Sequence, residues 1–130
     1  MSWTEADLAA YYVRQGKPSM PGYTPGMSVE AALLRDVRAL VRQIGGLFYH
    51  TYRSDRSEKG FPDCVILLPP TAQQPHGRLL FAELKSATGK LTSEQAQWVS
   101  MLETVPGITV HIWKPADWNS IVTTLTRKEP

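Results

Sequence analysis

The sequence predicts an α/β domain in which helices flank a mixed central sheet of about four strands. Apolar residues recur at helical spacing in the stretches 29–44 and 91–103. Four short runs rich in aliphatic, β-branched and aromatic residues lie between turn-forming stretches, as strands do. The order helix, three strands, helix, strand, helix indicates the α/β class.

The individual elements follow from local patterns. Ser28 is a good cap for the first helix, whose apolar positions are 29, 33, 37, 40, 41 and 44, and Gly45-Gly46 ends it. LFYHTY (47–52), CVILL (64–68) and RLLFAELK (78–85) are predicted strands, the last two paired as a hairpin. LTSEQAQWVSMLE (91–103) is a capped amphipathic helix, ITVHIW (108–113) a fourth strand and DWNSIVTTL (117–125) a final helix.

Residues 1–27 are predicted to lie outside the main domain, which comprises residues 28–130. WTEADLAAYYVRQGK indicates a short helix, and the following PSMPGYTPG has the prolines and glycines of a linker.

Composition excludes several classes of protein. A chain of 130 residues with 42% apolar and 20% charged residues is expected to form one soluble domain. Cys64 is the only cysteine, which excludes an internal disulfide and a cysteine-based zinc cluster and favours a reducing cytoplasm. No apolar run approaches the roughly 18 residues of a membrane span and no signal-peptide pattern opens the chain, so no membrane partner is expected. With a net charge of +2, the protein would have to bind nucleic acid through a local patch.

Four ionisable residues lie where the pattern favours apolar ones. Asp63 opens the second predicted strand, and Glu83 and Lys85 continue an otherwise apolar face of the third. Glu30 borders the inward stripe of the first helix. The two acids of the hairpin come together only if the start of one strand lies beside the end of the other, which antiparallel pairing permits.

Carboxylates gathered at one edge of a sheet repel each other unless a cation lies between them. Oxygen ligands of this type suit a hard divalent ion such as Mg²⁺ or Mn²⁺, and no small-molecule cofactor is expected. A lysine beside such a site adds positive charge. This combination meets the needs of phosphodiester hydrolysis, in which water must be activated and negative charge stabilised.

Pro62-Asp63, followed about twenty residues later by Glu83-Leu84-Lys85, resembles the PD-(D/E)xK nuclease motif. The longer stretches YHTYRSDRSEKGFPD and FAELKSATGKLTSEQAQW resemble the virus-type replication-repair nuclease (VRR-NUC) branch, and in particular its small stand-alone phage and bacterial members. The resemblance covers roughly residues 28–113. It implies a restriction-endonuclease-like core.

The resemblance also implies roles for individual residues. The implied metal ligands are Asp63, Glu83, the backbone carbonyl of Leu84 and, directly or through water, Glu30. Lys85 would be the catalytic lysine, and Gln95 would lie near the metal or the scissile phosphate. Gln95 has an equally good structural interpretation, because Thr92 to Gln95 also form a capping box at the start of a helix.

Further cations suggest contacts with DNA. Arg53, Arg56 and Lys59 lie in the loop before Asp63, and Lys90 precedes a helix. The simpler interpretation is a solvated loop; the functional interpretation is that these cations contact DNA phosphates beside the site.

The function predicted from the sequence is a metal-dependent DNA endonuclease. Family resemblance favours branched DNA as substrate, in the manner of junction-resolving enzymes, and a homodimer, since a domain this small has one active site. A monomeric flap or nicking nuclease and a non-catalytic DNA-binding module that keeps the fold are the alternatives.

Overall fold

A computed structural model describes residues 28–51 and 57–126 of the chain. Within them the elements are α1 (Val29–Gln43), β1 (Leu47–His50), β2 (Cys64–Leu68), β3 (Arg78–Leu84), α2 (Ser93–Glu103), β4 (Ile108–Trp113), a short 3-10 helix (Pro115–Asp117) and α3 (Trp118–Thr126). The predicted helix in 1–27 and Tyr52, the last residue of the first predicted strand, lie outside the described residues.

The four strands form one sheet in the order β1-β2-β3-β4. β1 pairs antiparallel with β2, and β2 antiparallel with β3, which confirms the predicted hairpin. β4 pairs parallel with β3. The two strands run in the same direction because α2 returns the chain from the end of β3 to the end of the sheet at which β3 begins. The sheet is therefore mixed, as the sequence predicts.

Helices cover both faces of the sheet. Alternate residues of β3, Leu80, Ala82 and Leu84, are buried in one core cluster with the apolar stripe of α1 and with α3. The other face carries Phe81, which packs near Trp98 of α2 through Phe61. Glu83 alternates with the core residues of β3 and consequently projects to the α2 face.

Most element boundaries agree with the sequence pattern, and the differences are small. α1 is capped by Ser28, whose side chain accepts a hydrogen bond from Ala31 N at 3.0 Å. α2 begins at Ser93 rather than 91 because Thr92 is its N-cap, and the final helix begins at Trp118, after the 3-10 turn that starts at Pro115. No helix in the described part of the chain is long and apolar enough to cross a membrane.

Candidate metal and catalytic site

The carboxylates of Asp63 and Glu83 meet at one edge of the sheet. Cys64 pairs with Ala82, so the same antiparallel register places the preceding residue, Asp63, directly opposite Glu83. Residues opposite each other in such a ladder project to the same face, with Cα atoms about 4.5–5.5 Å apart. Asp63 Oδ2 also accepts a hydrogen bond from Leu84 N at 2.8 Å, which anchors the Asp63 side chain to β3.

Glu83 is a buried acid. It is only 2% exposed, and when both acids are ionised its Oε2 atom has no hydrogen-bond donor among residues 28–51 and 57–126. Burial, followed by the charge of Asp63 and a side-chain hydrogen bond with it, raises the pKa of Glu83 to about 8, although the charge of Lys85 acts in the opposite direction. Without a cation, the pair therefore keeps one proton at neutral pH, whereas an isolated carboxyl group has already lost its proton above a pH of about 4.5.

Gln95 both caps its helix and contacts the acid pair. Its Oε1 accepts from Thr92 N at 2.9 Å, and its backbone N–H donates to Thr92 Oγ1 at 3.1 Å, which completes the capping box. Its Nε2 donates to Glu83 Oε1 at 2.9 Å. The two interpretations that the sequence leaves open are therefore compatible, because the two ends of one amide group perform both roles.

Glu30 and Lys85 approach the same edge of the sheet. Glu30 is in the first turn of α1, and its Oε1 accepts from Ser86 N at 3.1 Å, directly after Lys85. Lys85 N donates to Trp113 O at 2.9 Å, so the backbone there is held by β4 even though the strand ends at Leu84. The Lys85 side chain is half-buried and its charge influences Glu83.

The donor set fits a hard divalent cation in chemical type. Two carboxylates share one face, and the ionised Glu83 has a buried oxygen, Oε2, for which the described residues supply no donor; a bound cation would stabilise this arrangement. No group of three or more histidine, cysteine, aspartate or glutamate side chains placed to hold a metal occurs in the described ranges. Additional ligands would have to be backbone or water oxygens, or Glu30 after a shift of its side chain.

The segment 59–61 is fastened to α2. Gly60 has a φ of +92°, and a Cβ atom there would lie 2.5 Å from the backbone carbon of Glu94 and 2.8 Å from Gln95 N. Phe61 packs edge-on against Trp98, with ring centroids 5.1 Å apart, and Lys59 O accepts a hydrogen bond from Trp98 Nε1 at 3.1 Å. This contact fixes the chain just before Asp63 against the turn that carries Gln95.

A groove of about 890 Å³ opens beside these residues. It lies between the end of β1, the segment 57–63 and the first turns of α2; the residues of its lining that bear on the site are Tyr49, Thr51, Lys59, Asp63, Gln95 and Trp98. The groove gives access to Asp63 from solvent, whereas the buried Glu83 is not among its lining residues. The sequence interpretation did not assign Tyr49, Gly60, Phe61 or Trp98 to the site, although GFPD in the sequence marks two of them.

The predicted DNA contacts are distributed unevenly. Lys59 is exposed and lines the groove. Lys90 is exposed before α2 and is not part of the groove lining. Arg53 and Arg56 lie outside the described residues, so their role stays a prediction.

The mixed four-stranded sheet with helices on both faces and acids at one edge defines a restriction-endonuclease-like α/β domain. A solved structure described as a VRR_NUC domain is similar to it, with a TM-score of 0.56 and 16% sequence identity over 74% of this chain and 96% of the other. The chain accordingly has a VRR-NUC nuclease fold. Another solved structure, described as a VRR_NUC domain protein, covers 99% of this chain and 93% of its own at 16% identity, with a TM-score of 0.46. No protein-family model matches the sequence, and no curated protein matches it.

Proposed function

We propose that the protein is a Mg²⁺- or Mn²⁺-dependent endonuclease that hydrolyses phosphodiester bonds in branched or otherwise structured DNA, in phage or bacterial replication or repair. The observation that carries the proposal is the Asp63–Glu83 pair. Asp63 lines an open groove, and Glu83 is nearly inaccessible and, when ionised, has one oxygen without a donor in the described part of the chain. A purely structural acid would be expected to be fully hydrogen-bonded. The similar solved structure is described as a VRR_NUC domain, and that description agrees with a nuclease function.

Each residue of the site is proposed to have a role that follows from its position. Asp63 and Glu83 would hold the cation, with the Leu84 carbonyl and Glu30 as further oxygen donors. When bound, the ion would acidify a water molecule and neutralise charge on the phosphate. Gln95 orients Glu83 by donating to its Oε1 atom, which leaves Oε2 for the cation.

Lys85 provides the positive charge of the site. Its ammonium group is proposed to stabilise the negative charge that builds on the phosphate oxygens as water attacks and the 3′-oxygen leaves. We further propose a homodimer, because symmetric cutting of two strands by a domain with one site requires two copies.

Cleavage assays with matched lysine variants test the proposal. Wild type, Lys85→Ala and Lys90→Ala are incubated with a labelled four-way junction, a flap and plain duplex, with Mg²⁺, Mn²⁺ or EDTA. We expect metal-dependent cutting that is fastest on the junction, and a loss of turnover of about 100-fold or more in Lys85→Ala. Lys90→Ala should weaken DNA binding and leave turnover at saturating DNA near that of wild type.

The alternatives give different results. DNA binding without cutting under either metal would identify a non-catalytic module, and faster cutting of the flap by a monomer in light scattering would identify a flap nuclease. Equal turnover of Lys85→Ala and wild type would remove Lys85 from the mechanism.

A further inference from the structure

Tyr49 lies on the same face of the sheet as the acid pair. Tyr49 is opposite Val65 in the β1–β2 ladder, and the hydrogen bond from Thr51 N to Asp63 O extends this register to the edge of the sheet. Asp63 is therefore the diagonal neighbour of Tyr49, at about 7–8 Å between Cα atoms and within reach of an aromatic side chain. The ring and the carboxylate line the same groove.

Tyr49 presents an exposed aromatic ring. Its side chain is 60% exposed, and among residues 28–51 and 57–126 no aromatic ring packs against it. Phe61 and Trp98, by contrast, contact each other in the segment that holds Asp63 in place. An exposed aromatic ring within a groove that also carries a lysine, Lys59, presents the two features that bind single-stranded nucleic acid: a surface for base stacking and a cation for the backbone.

We propose that Tyr49 is a stacking site for an unpaired nucleobase next to the phosphate held at Asp63. The inference rests on the proposed function and narrows its substrate. A base within a duplex has both faces covered by its neighbours, so it can stack on Tyr49 only when it is unpaired or extruded. The substrate class is therefore DNA with an unpaired nucleotide beside the scissile phosphate, as at an open branch point or a flap.

The position of Tyr49 within the groove favours a nucleobase over a second copy of the chain. Leu47, on the same face of β1, is 70% exposed and pairs with Leu67, so these two residues form an apolar surface farther from the acids. A protein interface on this face would use Leu47 at least as much as Tyr49. Leu47 does not line the groove, whereas Tyr49 does.

Fluorescence of 2-aminopurine in DNA tests the inference, and Leu47→Ala, on the same β-strand as Tyr49, is the matched control. A DNA containing 2-aminopurine at one unpaired position, and a fully paired DNA of the same sequence, are titrated with the full chain in Ca²⁺, with gels verifying that the DNA stays intact. Stacking should quench the fluorescence of the unpaired base on binding to wild type. Tyr49→Ala should lose the quenching and weaken binding of the unpaired DNA by about 5- to 100-fold, without weakening binding of the paired DNA.

The companion variants distinguish stacking from other roles. Tyr49→Phe keeps a ring and should retain quenching, and Leu47→Ala should behave as wild type. Unchanged binding and quenching in Tyr49→Ala would overturn the proposal. So would an equal loss in Leu47→Ala accompanied by a change in sedimentation, because that result would identify an interface between copies. Cleavage is measured separately, so a protein that binds this DNA selectively but cuts nothing would refute the nuclease activity and leave the stacking site supported.

Discussion

Replacing Glu83 by glutamine should change the pH dependence of stability in a specific way. In the metal-free protein the pKa of Glu83 is raised from its ordinary value near 4.5 to about 8, because the side chain is buried beside Asp63. A group whose pKa is higher in the folded state stabilises the fold fully below the unfolded pKa, and that contribution is lost as pH rises through the folded pKa. The free energy of unfolding of wild type should therefore fall between about pH 4.5 and pH 8.

The size of this loss follows from the two pKa values. Each pH unit over which only the unfolded state is ionised changes the free energy of unfolding by about 1.4 kcal/mol, so the whole interval amounts to a few kcal/mol, on the order of 3–5. The Glu83→Gln variant keeps the shape of the side chain and an oxygen that can accept from Gln95 Nε2, and its amide cannot ionise. Its stability should lack this fall with pH, so that it exceeds wild type by a few kcal/mol at pH 8.

Urea unfolding in EDTA at pH 5, 6, 7, 8 and 9 measures the effect. Glu103→Gln is the matched control, because Glu103 is exposed at the end of α2 remote from the acid pair, and its profile should run parallel to that of wild type. Mg²⁺ should restore stability to wild type at pH 8, since a cation that binds only the folded state stabilises it. Parallel profiles of wild type and Glu83→Gln between pH 5 and pH 8 would refute the reasoning.

Two further substitutions test how the site is positioned. Gly60→Ala should lower the free energy of unfolding, measured in urea, by about 2–4 kcal/mol, because the added Cβ would collide with the backbone of α2 and the φ of Gly60 is positive. Gly107→Ala is the control: its φ is +86°, but no atom of the described residues lies within 4 Å of the added Cβ, so it should lose only about 1 kcal/mol. Equal losses in the two variants would contradict the close contact. Gln95→Glu keeps the capping box but replaces the donor to Glu83 by a third carboxylate, so it should be about 1–3 kcal/mol less stable than wild type at pH 8 and show lower affinity or turnover in Mg²⁺. The exposed Gln97→Glu change should have little effect, and matching losses in both glutamine variants would point to helix charge alone.

Several features of the candidate site were predictable because they depend on local pattern. The alternation along β3 places the Glu83 side chain on the face of the sheet opposite to the core residues. The capping sequence before α2 identifies Gln95 as a residue of the capping box. The closeness of Asp63 and Glu83 could not be derived in this way. It depends on the register of the hairpin, and a slip of one residue would have put the two acids on opposite faces.

Other features depend on contacts between elements distant in sequence. Glu30 reaches the backbone of Ser86 across 56 residues, and Gly60 must lack a side chain because the first turn of α2 packs directly against it. Neither a positive φ nor a close approach of two backbone segments produces a periodic pattern of residues in the sequence. For the same reason Phe61 and Trp98 appear in the sequence as ordinary apolar residues.

Sequence by itself determined the class of fold, the order of its elements and the chemical types of the candidate site, because periodicity, caps and residue chemistry are local properties. Tertiary structure decided which of those groups meet. Strand register brought Asp63 to Glu83, the packing of α2 gave Gln95 its contact with the pair, and the open face beyond α2 left Tyr49 exposed in the groove. These outcomes follow from long-range packing, in which the position of each residue depends on elements that its own neighbours in the chain do not specify.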